Sequence, residues 1–184
     1  VNGSSTALVG GASNINGLTD GTTQHYNTGL GTGALTSQTG NGFSVAVGNY
    51  ALNSNNLYYN AAVGYAALRY STGGSNTAMG YAAVDAATTA NWCTGIGKDA
   101  LGAVTTGSSN TGLGVEAGKL ITTGANNTII GRLQGSSTLS STVLIGAGTT
   151  ERLKIDSTGL YVNGSTTALG GGGTSSVLTN GSIA

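Results

Sequence analysis

Residues 76–84 read NTAMGYAAV, and residues 60–68 read NAAVGYAAL, almost the same nine letters sixteen positions earlier. With the central glycine as position 0, the pattern recurs along the chain. The glycines are Gly31, Gly48, Gly64, Gly80, Gly97, Gly114, Gly131 and Gly146, spaced by 17, 16, 16, 17, 17, 17 and 15 residues. Position −1 is Leu30, Val47, Val63, Met79, Ile96, Leu113, Ile130 and Ile145, a large aliphatic every time. Position +3 is Ala34, Ala51, Ala67, Ala83, Ala100 and Ala117, then Gln134 and Thr149. Position +4 is Leu35, Leu52, Leu68, Val84 and Leu101, then Gly118 and Gly135. Position −4 is Asn27, Asn60, Asn76, Asn110 and Asn127, with Ser44, Cys93 and Thr142 in the remaining repeats. A fixed period of this kind decides architecture before any local propensity does.

A period near sixteen is too short for a helical hairpin repeat, which needs about 33 residues or more. Composition agrees. The 184 residues include 34 glycines and no proline, and only 7% are charged, so the usual helix formers Glu, Lys and Arg are scarce. Disordered chains combine low hydrophobicity with high net charge. Here 38% of residues are hydrophobic, regularly placed, and the formal net charge is zero, which argues for an ordered chain. The set Thr28, Val45, Thr77, Thr94, Thr111, Thr128 and Val143 at position −3 suits a strand, and position 0 lets the backbone bend. Segments rich in Ser, Thr, Gly and Asn, such as 36–43 and 102–109, read as turns.

The expected fold is therefore all-β, a β-solenoid with one coil per repeat and about eight repeats of 15–17 residues. Coils stacked at the strand spacing of about 4.8 Å make a rod segment of roughly 40 Å. Stacking puts each residue above its equivalent, so one residue type per position becomes a ladder. The aliphatic ladder is expected to be the core ridge. The Ala ladder is expected to allow close backbone approach and is a candidate face towards a partner chain, in which case Ala67→Arg or Ala83→Arg would block assembly, and the Asn ladder is expected to stack amide on amide. A coil this short buries little apolar surface alone, which points to closed cyclic association, here a parallel homotrimer, intertwined or side by side.

The organisation expected is a lead-in over 1–26, the solenoid over 27–148, a capping β-hairpin over 149–164 and a Gly-rich linker over 165–184. The hairpin reading rests on alternation of Leu153, Ile155, Leu160 and Val162 around a Ser-Thr-Gly turn. Residues 162–169 (VNGSTTAL) echo residues 1–8 (VNGSSTAL), which suggests the start of a second module and end-to-end assembly. The absence of an initiator Met and of a signal peptide suggests a processed chain or an excerpt of a longer one.

NTAMGYAAV, NAAVGYAAL and NTGLGTGAL (27–35) resemble the repeats of bacteriophage tail-fibre and related virion-fibre proteins. ERLKIDSTGLYVNG (151–164) resembles the segment that follows such repeats. The aliphatic-Gly core is also similar to head repeats of trimeric autotransporter adhesins. The resemblance spans 27–164. It implies a trimeric extracellular fibre, on a virion or as a cell-surface appendage, that joins other fibre proteins and holds or presents a surface for a host glycan or protein receptor. A segment of a bacterial adhesin head or an extracellular filament subunit is the alternative. The chaperone and membrane-anchor domains of these families have no recognisable counterpart here, so tip and attachment point are expected outside this chain.

Chemistry-bearing residues are few. His25 is the single histidine; a triad would have to use it, and three copies would have to converge on an axis to bind a metal. A surface or interface role is the plainer reading. Asp99 and Glu116 share position +2 and would lie about 5 Å apart, the carboxylate separation of a retaining glycosidase. Neighbouring Lys98 and Lys119 favour a solvated face instead. No cofactor and no catalytic residue is assigned, and neither an enzyme, such as a glycan depolymerase, nor an ice-binding solenoid built on the Thr ladder is the leading reading. Gly170–Gly173 lacks the Lys-Ser/Thr of a P-loop. Zero net charge gives no pull towards nucleic acid or an anionic membrane. Single Cys93 excludes an internal disulfide.

Six of the eight tyrosines fall within 50–81. Tyr58, Tyr59, Tyr65, Tyr70 and Tyr81, with Trp92, are the candidate receptor contacts, because amphipathic rings suit saccharide and protein surfaces. Tyr65 and Tyr81 hold the same position and should stack, and the rival reading of these rings is a ladder that stiffens the coils.

Overall fold

The computed structural model describes residues 26–37, 42–54 and 58–163. Eight short parallel strands, β1 (Thr28–Leu30), β2 (Val45–Val47), β3 (Ala61–Val63), β4 (Thr77–Met79), β5 (Thr94–Ile96), β6 (Thr111–Leu113), β7 (Thr128–Ile130) and β8 (Val143–Ala147), pair in chain order. The register is the repeat itself: Val63 faces Met79, Met79 faces Ile96, and so on. The chain is an all-β solenoid of about seven turns, without a helix among the described residues. The expected hairpin is present as β9 (Thr150–Asp156) and β10 (Gly159–Val162). It adds antiparallel to β8 with a bulge at Ile145/Gly146, so the coil edge is paired rather than left open. The lead-in up to His25, the echo of residues 1–8, and Gly170–Gly173 lie outside the described residues.

Glycine at position 0 is required twice over. Its φ is near +134 at Gly64 and +138 at Gly80, a conformation L side chains rarely adopt. A Cβ on Gly64 would also lie 2.4 Å from the carbonyl oxygen of Gly80 in the next coil. Other corners are turned by ordinary residues in the left-handed region. Leu52, Leu68 and Val84 (φ 49–53) do so at position +4, and Phe43, Tyr59 and Trp92 (φ 46–64) at position −5. Each costs about 1–2 kcal/mol. Inter-coil backbone hydrogen bonds, such as Leu68 N to Ala83 O at 3.0 Å and Tyr59 N to Gly42 O at 2.7 Å, hold them there.

The inward side is the reverse of the expected one. The aliphatic ladder Leu30, Val47, Val63, Met79, Ile96, Leu113, Ile130 and Ile145 is not the core ridge: Met79 is 50% and Leu113 41% exposed. Side chains alternate along a strand, and it is the middle residue, Ala46, Ala62, Ala78 or Ile129, that points in. The interior is filled by position +4 instead, with Leu52, Leu68, Val84 and Leu101 all fully buried. Space explains the choice. A large +4 residue is followed one coil on by a small middle strand residue, as in Leu52 and Ala62 or Leu68 and Ala78, and a Cβ on Gly95 would come within 2.6 Å of Val84. A Cβ on Gly112 would come within 2.9 Å of Leu101. Where position +4 becomes Gly118, the partner becomes Ile129, whose Cδ1 reaches to 3.3 Å from a Cβ built on that glycine. The order inverts while the volume is kept.

The Ala ladder is also inside. Ala51, Ala67, Ala83, Ala100 and Ala117 are fully buried within the single chain, so this ladder is not an interface with a partner. Arginine at Ala67 or Ala83 would break the coil itself.

The Asn ladder is buried but stacks amide on amide at one step only, Asn127 Nδ2 to Asn110 Oδ1 at 2.9 Å. Elsewhere each amide joins two backbones. Asn76 Oδ1 accepts from Cys93 N at 2.8 Å, and its Nδ2 donates to Ala90 O at 2.9 Å. Asn60 Oδ1 likewise accepts from Asn76 N at 2.9 Å. The bonds satisfy backbone groups at the coil corner that have no strand partner. Cys93 occupies one rung as a buried thiol, pushed up by desolvation and therefore inert.

Gly64→Ala should lower stability by about 3 kcal/mol or more, whereas Gly148→Ala, at φ +61 with open space, should cost about 1–2 kcal/mol. Asn76→Ala should cost about 3 kcal/mol by orphaning a buried donor and acceptor. Urea unfolding midpoints read all three.

Candidate functional site

Because positions −3 and −1 point outward, the eight strands present a flat two-ladder face. One ladder is Thr28, Val45, Ala61, Thr77, Thr94, Thr111, Thr128 and Val143; the other is the aliphatic ladder. The hydroxyl ladder thus lies beside large aliphatic groups rather than beside a second row of hydroxyls. Among the described residues, Val45, Val63, Met79, Leu113 and Ile130 of this face are left exposed.

Aromatic side chains gather at the two ends of the strands. At position −5, Tyr26, Phe43 and Tyr59 stack in successive coils, with centroids 4.9 and 5.7 Å apart and planes within 13°. Tyr58 tilts against Tyr59 at 6.2 Å. Trp92 stands in the same ladder, 66% exposed, and Ser75 occupies the rung between Trp92 and Tyr59. At position +1, Tyr65 and Tyr81 stack at 5.3 Å and 11°, as their spacing predicts. Tyr50 meets Tyr65 edge-on at 5.9 Å, and the Arg69 guanidinium lies 5.0 Å from Tyr50 and 4.8 Å from Tyr70. The candidate contacts are all exposed, but they form two groups: Tyr58, Tyr59 and Trp92 at one end of the strands, Tyr65, Tyr70 and Tyr81 at the other. Tyr26 and Phe43 were not among the sequence candidates. The signal for them was position: each precedes Asn27 or Ser44 as Tyr59 precedes Asn60.

Apart from Arg69 and Asp85, the charges among the described residues lie in the later coils and the hairpin. Lys119 Nζ bridges Asp99 at 3.3 Å and Glu116 at 3.2 Å, and Glu116 also takes Arg132 at 3.0 Å and Gln134 at 3.1 Å. Hydrogen bonds from Arg132, Lys119 and Gln134 hold the Glu116 carboxyl down to about 2. A glycosidase acid needs the opposite shift. Asp99 and Glu116 are thus tied together by one lysine, an ion-paired surface where the sequence suggested only a solvated one. Beside them lies a groove of about 200 Å3 lined by Ala82, Asp85, Asp99, Gly102, Ala103, Lys119 and Leu120. Burial pushes the Asp85 carboxyl up, against the pull of Arg69. No cluster of His, Cys, Asp and Glu able to hold a metal occurs among the described residues. His25 lies outside them.

No protein-family profile, curated protein or solved structure matches this chain.

A carboxyl held below its ordinary 4.5 stabilises the fold above that pH and loses its contribution as pH falls towards 2. The wild-type melting temperature should therefore drop more steeply between pH 4.5 and pH 2 than that of Glu116→Gln. Parallel curves in calorimetry would show that the network carries no stability.

Proposed function

We propose that this chain is a shaft segment of an extracellular fibre, on a virion tail or a comparable surface appendage. In this reading it assembles as a parallel homotrimer that holds or presents a receptor-binding surface and performs no catalysis. The observation that carries the reading is the uncovered aliphatic ladder. Val63, Met79, Leu113 and Ile130 stand exposed in one ladder, and a contiguous apolar row of this kind marks an interaction site. The interior is already filled, so this surface cannot be buried by further folding of the same coils. A second copy in parallel register presents an aliphatic rung at every height, since the period is shared along the whole stack. Closed cyclic symmetry buries such a face without leaving an open end to sideways growth. The hydrogen bonds between coils run along the rod axis, which suits a spacer that bears load. The resemblance of 27–164 to tail-fibre repeats points the same way, and exposed rings on both flanks leave surfaces for a host glycan or protein once the aliphatic face is closed.

Sedimentation equilibrium should give three chain masses at micromolar concentration. Met79→Arg, which brings three charges together in the closed face, should shift the protein to monomer while leaving its far-ultraviolet dichroism unchanged, because Met79 is half exposed in the single chain. A monomeric wild type, or a trimer indifferent to Met79→Arg and Leu113→Glu, would exclude this interface.

A further inference from the structure

Position −5 carries a ring in four of the first five coils, at Tyr26, Phe43, Tyr59 and Trp92, and Ser109, Asn126 and Ser141 in the last three. Tyr26, Phe43 and Tyr59 stack face to face, and Trp92 follows two coils beyond Tyr59. Between them stands Ser75. The backbone does not change there: φ is 64° at Tyr59, 59° at Ser75 and 56° at Trp92. The inter-coil bonds Ser75 N to Tyr58 O at 3.0 Å and Trp92 N to Gly74 O at 3.3 Å keep the register. Within this aromatic stretch the Ser75 rung therefore holds only a hydroxymethyl group, and two rings, 65% and 66% exposed, flank the gap. Two coil spacings separate them, about 9.6 Å.

We infer that the slot over Ser75, between Tyr59 and Trp92, is a binding site for one neutral pyranose ring of a surface glycan. A ring entering midway would sit about 4.8 Å from each aromatic, inside the roughly 4.5–7 Å range at which rings stack. A pyranose presents a C–H face to each side and its hydroxyls at the edge, where water and the Ser75 hydroxyl can take them. The rungs around the slot, residues 58–60, 74–76 and 91–93, contain no charged residue. This favours an uncharged sugar over a nucleotide or an acidic one, either of which would need a cation nearby. Both tyrosine and tryptophan are rigid and lose little entropy on stacking, so a shallow site can still hold a ring. The inference deepens the fibre reading and rests on it for the source of the glycan, while the slot is complete within one chain. Three slots on a trimer, each with a dissociation constant on the order of millimolar, would act together on a repetitive polysaccharide.

Trp92 is the only tryptophan of the chain, so its fluorescence reports on this site alone. The full chain is titrated with the methyl α-pyranosides of glucose, galactose and mannose, and with N-acetylglucosamine. At least one should change Trp92 emission saturably. Tyr59→Ala should weaken that response at least tenfold, and Tyr81→Ala, in the other aromatic group, should leave it unchanged. Ser75→Tyr restores the missing ring at a φ that Phe43, Tyr59 and Trp92 already adopt; it should raise the melting temperature and abolish the response. If that variant does not fold, Tyr59→Ala decides the question. No saturable change with any of the four sugars, or a response that survives both substitutions, overturns the slot. Sedimentation of the same samples keeps the two ideas apart: a trimer with no sugar response leaves the fibre standing, and a responding monomer leaves the slot standing.

Discussion

Two backbones meet with no atoms to spare at position 0, and the rest of the molecule is arranged around that contact. A methyl group on Gly48, Gly64 or Gly97 would lie 2.4 Å from the carbonyl oxygen of the glycine one coil on. The glycines therefore have to lie directly over one another. Once they do, the period is set at one coil, each strand is in register with the next, and every other position becomes a ladder. The left-handed corners at Leu68, Val84 and Tyr59 are tolerated because that register supplies each with an inter-coil hydrogen bond. Strain of about 1–2 kcal/mol at each such corner is offset by bonds that exist only when the coils are stacked.

The same stacking limits the volume inside. A coil of sixteen or seventeen residues encloses one large side chain per layer with alanines around it, plus a second in later coils, where Val104 and Ile121 are fully buried. Large residues at position −1 have no room there and turn outward. The face they make is a long apolar surface, which the proposed fibre shaft would use to meet an identical neighbour. Polar demands are met inside by Asn60, Asn76, Asn110 and Asn127, which are fully or almost fully buried and connect backbone to backbone. A buried amide with its partners in place costs little, whereas one without them would be expensive.

The exterior changes character along the axis. Coils near β1–β5 carry the rings, from Tyr26 to Trp92, and coils near β5–β7 carry the network of Asp99, Glu116, Lys119 and Arg132. The interior repeats almost without change, so this variation falls on side chains the coil does not need for folding. That is where a repeat protein can acquire recognition without disturbing its scaffold. The gap at Ser75 is such a variation. It places a small side chain between two rings in a ladder whose backbone φ hardly changes.

The sequence alone determined the period, the number of coils, the ladder membership of each residue and the hairpin that follows. All of these depend on spacing, and spacing is carried by the chain itself. It also determined the stacking of Tyr65 on Tyr81, whereas the bridge of Lys119 to Asp99 and Glu116 came only with the structure. Which side of the strand faces in was decided only by the tertiary structure. Alternation in a three-residue strand defines two faces but does not say which is buried, and hydrophobicity alone pointed to the aliphatic one. The answer lay in volume, in the exchange of Leu101–Gly112 for Gly118–Ile129, and that exchange has meaning only when the partners are known to be one coil apart. The alanines moved from interface to interior for the same reason. The slot between Tyr59 and Trp92 likewise needed three coils in register, since a serine between two aromatic residues in sequence space becomes a gap between two rings only when the chain has wound twice around.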